Sequence, residues 1–233
     1  MWHIPSMKHL IAPLVLAVLA ASAGAYAQQS PSAQAKVAQI REAMALNKQA
    51  LSHYTWEQQE TVSVNGDVKK QMLYSVQIGA NGQQVKTDIS QSPSQSGRKF
   101  GIRHRITEDY ENYAKSIGAL AQSYVQADPA VLKQLYAQGN VAVRGAGPPG
   151  VVQLVIHNYV KSGDFVTIDF DRNAKRLLSL NISSYLSDPT DVVTIAAQFD
   201  KLPDGTGHVS TVTINGQSKN MQIVQQNLDY QAR

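Results

Sequence analysis

Gly145-Ala146-Gly147-Pro148-Pro149-Gly150 spells G-x-G-x-x-G, the pattern in which backbone N–H groups at a helix N-terminus meet a dinucleotide's pyrophosphate. That chemistry needs a strand before the glycines and a helix after them. Here the apolar run Val151–Ile156 follows, which reads as strand, and Pro148 and Pro149 have no N–H to offer. The stretch is therefore a stiff connection. Asp169-Phe170-Asp171-Arg172-Asn173 opens like a calcium loop, with carboxylates at alternate positions. Ala174 stands where such a loop needs glycine and Leu180 where it needs glutamate, so a β-turn explains the Asp and Asn without a metal. His53, His104, His157 and His208 lie too far apart in the chain for a local zinc pair. Neither a G-x-S-x-G elbow nor an H-E-x-x-H helix is present. No catalytic residue, metal ligand or cofactor is assigned, and the expectation is a protein that is not an enzyme.

Two further groups could act by binding. Arg98, Lys99, Arg103 and Arg105, with Phe100 and His104, form the densest basic cluster, suited to an anionic surface. In an exported chain that surface is a phosphate-bearing lipid or an acidic protein face rather than nucleic acid. Tyr110, Tyr113, Tyr124 and Tyr136 fall at helical spacings and suit an apolar face.

Export is read from the N-terminus. Lys8 and His9 precede the apolar stretch Leu10–Ala20, and Ala25-Tyr26-Ala27 fits a signal-peptide cleavage site before Gln28. Eleven apolar residues span about 16 Å as helix, roughly half a bilayer core, and Pro13 interrupts them. The expected domains are thus 1–27, a cleaved signal peptide, and 28–233, a single domain in the periplasm or secreted. With no cysteine in 233 residues, disulfides, thiolate sites and lipoprotein-type acylation are all excluded. The net charge of +4 is too mild to imply a polyanionic partner, and 43% hydrophobic residues suffice for a real core.

The elements that must position any site follow from periodicity. Gln28–Gln34 reads as a polar linker. Val37, Ile40, Met44 and Leu51 give a helix over 33–52. From Tyr54 the period becomes two: Tyr54, Trp56, Val62 and Val64 share a face, and Asn65-Gly66 supplies a type I′ turn. The next strand places Val68, Met72, Tyr74, Val76 and Ile78 on one face, and a second turn at Asn81-Gly82 leads to a third strand. The Ser/Gln/Gly-rich stretch and its basic residues, up to Arg105, read as loop. Thr107, Glu108 and Asp109 read as a helix start, giving helices over 107–125 and 129–138, the latter closed by Gly139. Six strands follow after Gly150, separated by connections too short for parallel crossovers.

This order of elements resembles the periplasmic lipoprotein-carrier superfamily, the LolA/LolB-like proteins. The likeness is carried by Tyr54-Thr55-Trp56-Glu57-Gln58-Gln59-Glu60, by Val166–Asp171 followed by Leu177–Ile182, and by Phe199-Asp200-Lys201-Leu202-Pro203-Asp204-Gly205. The chain departs from the carriers where Gln91–Arg105 and two helices replace an Arg-Pro strand end and a further hairpin. The resemblance implies an α+β fold: a single strongly curved antiparallel sheet, a half-barrel of about nine strands, with three helices covering its concave face. It also implies an apolar cavity for lipid or lipoprotein acyl chains. On that reading Tyr54, Trp56, Met72, Tyr74, Val76, Ile168, Phe170, Leu178, Leu180 and Ile182 line the cavity. Tyr113, Ile117, Leu120 and Tyr124 form a helical lid. The alternative is an envelope interaction or sensor protein on the same scaffold, with its core filled.

Overall fold

Alternation of β-branched and polar residues dictates most of the fold. In the computed structural model, which describes residues 45–90, 102–124 and 129–233, the alternating segments form ten strands of one antiparallel sheet. Helical residues 45–51 (α1) precede β1 (Tyr54–Val64), β2 (Asp67–Ile78) and β3 (Gln84–Asp88). Helices α2 (Ile102–Ser123) and α3 (Pro129–Ala137) come next. The remaining strands are β4 (Val141–Gly145), β5 (Val151–His157), β6 (Phe165–Asp171), β7 (Arg176–Tyr185), β8 (Val192–Lys201), β9 (Gly207–Gly216) and β10 (Met221–Ala232). The spatial order is β3-β2-β1-β10-β9-β8-β7-β6-β5-β4, so the first strand pairs with the last in the interior of the sheet.

One row of side chains shows why the sheet holds its register. Val62, Ile223, Ile214, Ile195, Ile182, Val166 and Ile156 are successive cross-strand partners from β1 to β5, and all are buried. A one-residue slip of any strand would turn its member of this row to solvent. Opposite the row, α2 lays down Tyr113, Ala114, Ile117, Leu120 and Ala121, the turn that ends it adds Tyr124, and α3 adds Leu132 and Leu135. The inner face here is a filled apolar basin.

The α+β class stands, with corrections in detail. The sheet has ten strands, not about nine, because Val141–Gly145 pairs with β5 as an edge strand. It is open and not strongly curled, in place of the half-barrel expected. Tight curling needs bulges and glycine kinks repeated at defined corners. Here four register shifts fall on four different ladders, and the strand glycines among the described residues sit at strand ends. Helix α2 begins at Ile102, so Thr107, Glu108 and Asp109 lie inside it rather than at its cap. The apolar spacing Ile102, Ile106, Tyr110, Tyr113 continues the helical period backwards through the basic residues. The signal peptide, the linker and the first part of the helix expected over 33–52 lie outside the described residues.

Local turn chemistry follows the sequence more closely. Asn65 and Gly66 both have positive φ, 54° and 84°, as a type I′ hairpin demands. At Asn81-Gly82 only Gly82 does, within a wider loop closed by Gly79 N–H on Gln83 O. Gly139 (φ 76°) ends α3, with Asn140 N–H on Leu135 O. Gly147 and Gly150, at φ 64° and 95°, turn β4 into β5, and the Asp171 carboxylate accepts the N–H groups of Asn173 and Ala174. Those hydrogen bonds hold Asp171 below the usual carboxylate range. Both motifs thus serve hairpins.

Candidate functional site

The covered face of the sheet is divided. Beyond β1 a second, smaller basin consists of Trp56, Met72, Tyr74, Val76 and Ile78, with Tyr230 packed against it. Alternation puts the β2 residues inward, and the register sets Trp56 opposite Val76, Gln58 opposite Tyr74 and Glu60 opposite Met72. A register shift between Val62 and Ser63 releases Val68, which is 61% exposed against the expectation that it faced inward. On β10 a bulge opposite Trp56 carries Asp229 at φ 51° and swings Tyr230 onto the indole. The rings stack with centroids 5.3 Å apart, and His208 closes on Tyr230 at 4.4 Å. Burial raises the Tyr230 hydroxyl above its ordinary range.

A polar belt separates the two basins. Gln58, Glu60 and Gln225 are buried on the inner face, at positions that period two reserves for apolar residues. Gln225 Nε2 donates to Glu60 Oε2 at 2.8 Å, and Gln58 Nε2 donates to Asn227 Oδ1 at 2.8 Å. Asn227 Oδ1 also receives the Trp56 indole N–H at 3.2 Å, while Asn227 Nδ2 donates to Val209 O. From β3, Lys86 reaches over the Tyr74 ring to Gln58 Oε1. Burial raises the Glu60 carboxyl, against the opposing pull of Gln225, Lys86 and Lys70. It lowers the Lys86 ammonium to about 8, against the pull of Glu60. For both groups desolvation outweighs their mutual attraction.

The expected cavity residues therefore part company. Trp56, Met72, Tyr74 and Val76 line the smaller basin, whereas Ile168, Phe170, Leu180 and Ile182 are packed in the larger one beneath α2. Tyr54 lies at the rim, where its hydroxyl donates to Asp204 at 2.7 Å. Leu178 falls at a register shift that pairs Phe170 with Leu177, and Leu177 packs on the core in its stead. Of the basic cluster, Arg98 and Lys99 lie outside the described residues, and Arg103 and Arg105 belong to α2 rather than a loop. His157 stacks edge-on against Phe165, far in register from His208 on Tyr230. Among the described residues no group of three or more His, Asp or Glu is placed to hold a metal ion.

All four expected lid residues are buried, and α2 is clamped near both ends of its packed face. Tyr113 donates to Asp191 Oδ1 at 2.7 Å, which also accepts from Ser218. Burial and the Asp191 carboxylate push the Tyr113 hydroxyl up to about 12. Eleven residues on, roughly 16 Å along the helix, Tyr124 donates to Asp164 Oδ2 at 2.7 Å and accepts from Ser184. Gly216 makes room for the first clamp. A Cβ there would lie 2.5–2.9 Å from the ring and hydroxyl atoms of Tyr113, although the Gly216 backbone is ordinary β. We expect Gly216→Ala to cost about 1–3 kcal/mol in urea unfolding. In a Tyr113→Leu background it should be nearly neutral, and an equal cost there would refute the steric account.

Sequence reasoning missed the polar belt, Tyr230 and the two clamps. The belt had a signal: the run Trp56, Gln58, Glu60, Val62 keeps one parity, so polar residues stand on the inward face. The clamps had none, since Tyr124 and Asp164 are forty positions apart.

No family model and no curated protein matches the chain. Among solved structures it is similar to a LolA superfamily protein from Nitrosomonas europaea, with TM-score 0.37, 12% identity, and coverage of 78% of this chain and 87% of that one. It is also similar to a DUF1329 family protein from Desulfovibrio piger, with TM-score 0.35, 10% identity, and coverage of 81% and 90%. Both are likenesses of fold alone.

Proposed function

We propose that this chain is an exported, non-enzymatic binding and carrier module for an amphiphile, such as the acyl chain of a lipid or lipoprotein. Its site is the smaller basin rather than the whole inner face. The observation that supports this reading is the division of that face. Under α2 the apolar residues form one continuous core with the helices, whereas Trp56, Met72, Tyr74, Val76 and Ile78, also buried, form a separate strip on β1 and β2. From Met72 to Ile78 the strip runs about 20 Å, long enough for an extended acyl chain. Export is supported by the Leu10–Ala20 segment and Ala25-Tyr26-Ala27.

The chain holds two tryptophans, Trp2 and Trp56, so Trp2→Phe leaves Trp56 as the sole indole, inside the proposed site. In that full-length variant, a fatty acid brominated along its chain should quench Trp56 fluorescence saturably, and Trp56→Ala should lower affinity at least tenfold in a displacement assay. A folded protein whose Trp56 is not quenched would reject the site. The sealed core under α2 favours a second reading, an envelope interaction module with no small ligand, and that reading expects no quenching by any lipid.

A further inference from the structure

Glu60 and Gln225 are cross-strand partners on the inner face, 0% and 1% exposed, and they share one hydrogen bond through Glu60 Oε2. Their other oxygens, Glu60 Oε1 and Gln225 Oε1, are buried and have no hydrogen-bond partner among the described residues. Two neighbouring unpaired oxygens on the covered face are costly, because the desolvation of each is offset by nothing. Elsewhere along the same cross-strand row stand Val212, Ala197, Leu180 and Ile168. An apolar pair would pack there without penalty. Glu60 also lies directly opposite Met72, at the end of the apolar strip.

The surroundings select the chemistry that would pair with these oxygens. An ammonium group would be repelled by Lys86 and Lys70, both of which act on Glu60. A carboxylate would place a second anion beside Glu60. A hydroxyl group both donates and accepts, so it matches Glu60 with or without a proton, and it can donate to the Gln225 carbonyl oxygen. Two adjacent oxygens suit two adjacent hydroxyls.

We propose that Glu60 and Gln225 form the head-group end of the amphiphile site and take the vicinal hydroxyls of a neutral, glycerol-type lipid such as a monoacylglycerol. The acyl chain then runs along Met72, Tyr74 and Val76 towards Trp56. This assignment rests on the carrier reading but is separable from it.

The test uses the full chain carrying Trp2→Phe and three probes with the same dibrominated stearoyl-length chain: the monoacylglycerol, the free fatty acid and the alkylamine. Quenching of Trp56 should show the monoacylglycerol binding about tenfold more tightly than the other two, the discrimination that hydrogen bonds to otherwise unpaired buried groups supply. Glu60→Met and Gln225→Met should each abolish that preference while the probes still bind through their chains. Far-UV circular dichroism and thermal melting report whether each variant folds, and Gln225→Met alone suffices if Glu60→Met does not. If all three probes bind equally to the parent, or the preference survives in a folded variant, the head-group assignment is overturned and the carrier reading stands. If the two oxygens merely share a buried water, the substitutions leave every affinity unchanged, which also overturns it. Absence of quenching by all three overturns both.

Discussion

Asp164→Ala is expected to lower stability by about 3–5 kcal/mol, because one buried carboxylate serves several donors at once. The Asp164 carboxylate accepts the backbone N–H groups of Tyr159, Val160 and Lys161 at 2.6–2.8 Å, and the Tyr124 hydroxyl at 2.7 Å. It is 1% exposed, so its removal strands several donors away from water. The loop it organises is also tied by Lys161 Nζ to the carbonyl oxygens of Tyr185 and Leu186. Tyr124→Phe removes only one of these contacts and should cost about 1 kcal/mol. Urea unfolding of the two variants checks the order. If Tyr124→Phe costs as much as Asp164→Ala, the carboxylate is not the hub.

Ile117→Ala is expected to cost about 2–5 kcal/mol and to leave uptake of a long-chain hydrophobic dye unchanged. Ile117 is wholly buried, between Ala114, Ala121 and the strand residues of the larger basin. Were α2 a movable lid, thinning its inner face would ease entry and dye uptake would rise in the folded protein. The clamps at Tyr113 and Tyr124 argue for the sealed core instead. Dye titration beside thermal melting separates the outcomes, and increased uptake at retained secondary structure would establish α2 as a lid.

How far the fold was legible depended on whether its cause was local. Alternation along β1, β2 and β5–β10, the Asn65-Gly66 turn and the Gly139 helix end are dictated by neighbours in the chain. The five-residue β4 has too few alternations to stand out, and it is a strand because β5 offers its edge. Leu177 and Leu178 exchange roles at a register shift that exists only in the paired sheet. The candidate site was half legible. Trp56, Met72, Tyr74 and Val76 follow from parity, but their separation from Ile168 and Leu180 depends on the β1–β10 pairing, which joins residues 157 to 178 positions apart.

That same pairing governs how the chain can fold. Without β10 the sheet is two fragments, β1–β3 on one side and β4–β9 on the other, and the three-stranded piece would expose its aromatic strip to water. The strand that joins them is Met221–Ala232, and Arg233 then fastens the seam by bonding Ser52 and Ile78 carbonyl oxygens. Contacts of such long sequence separation close a large loop before they return any stabilisation, so the closing step is slow. Until Met221–Ala232 has been made and has paired on both sides, β1–β3 and β4–β9 remain separate pieces, and the sheet has no stable intermediate in which all its strands are joined.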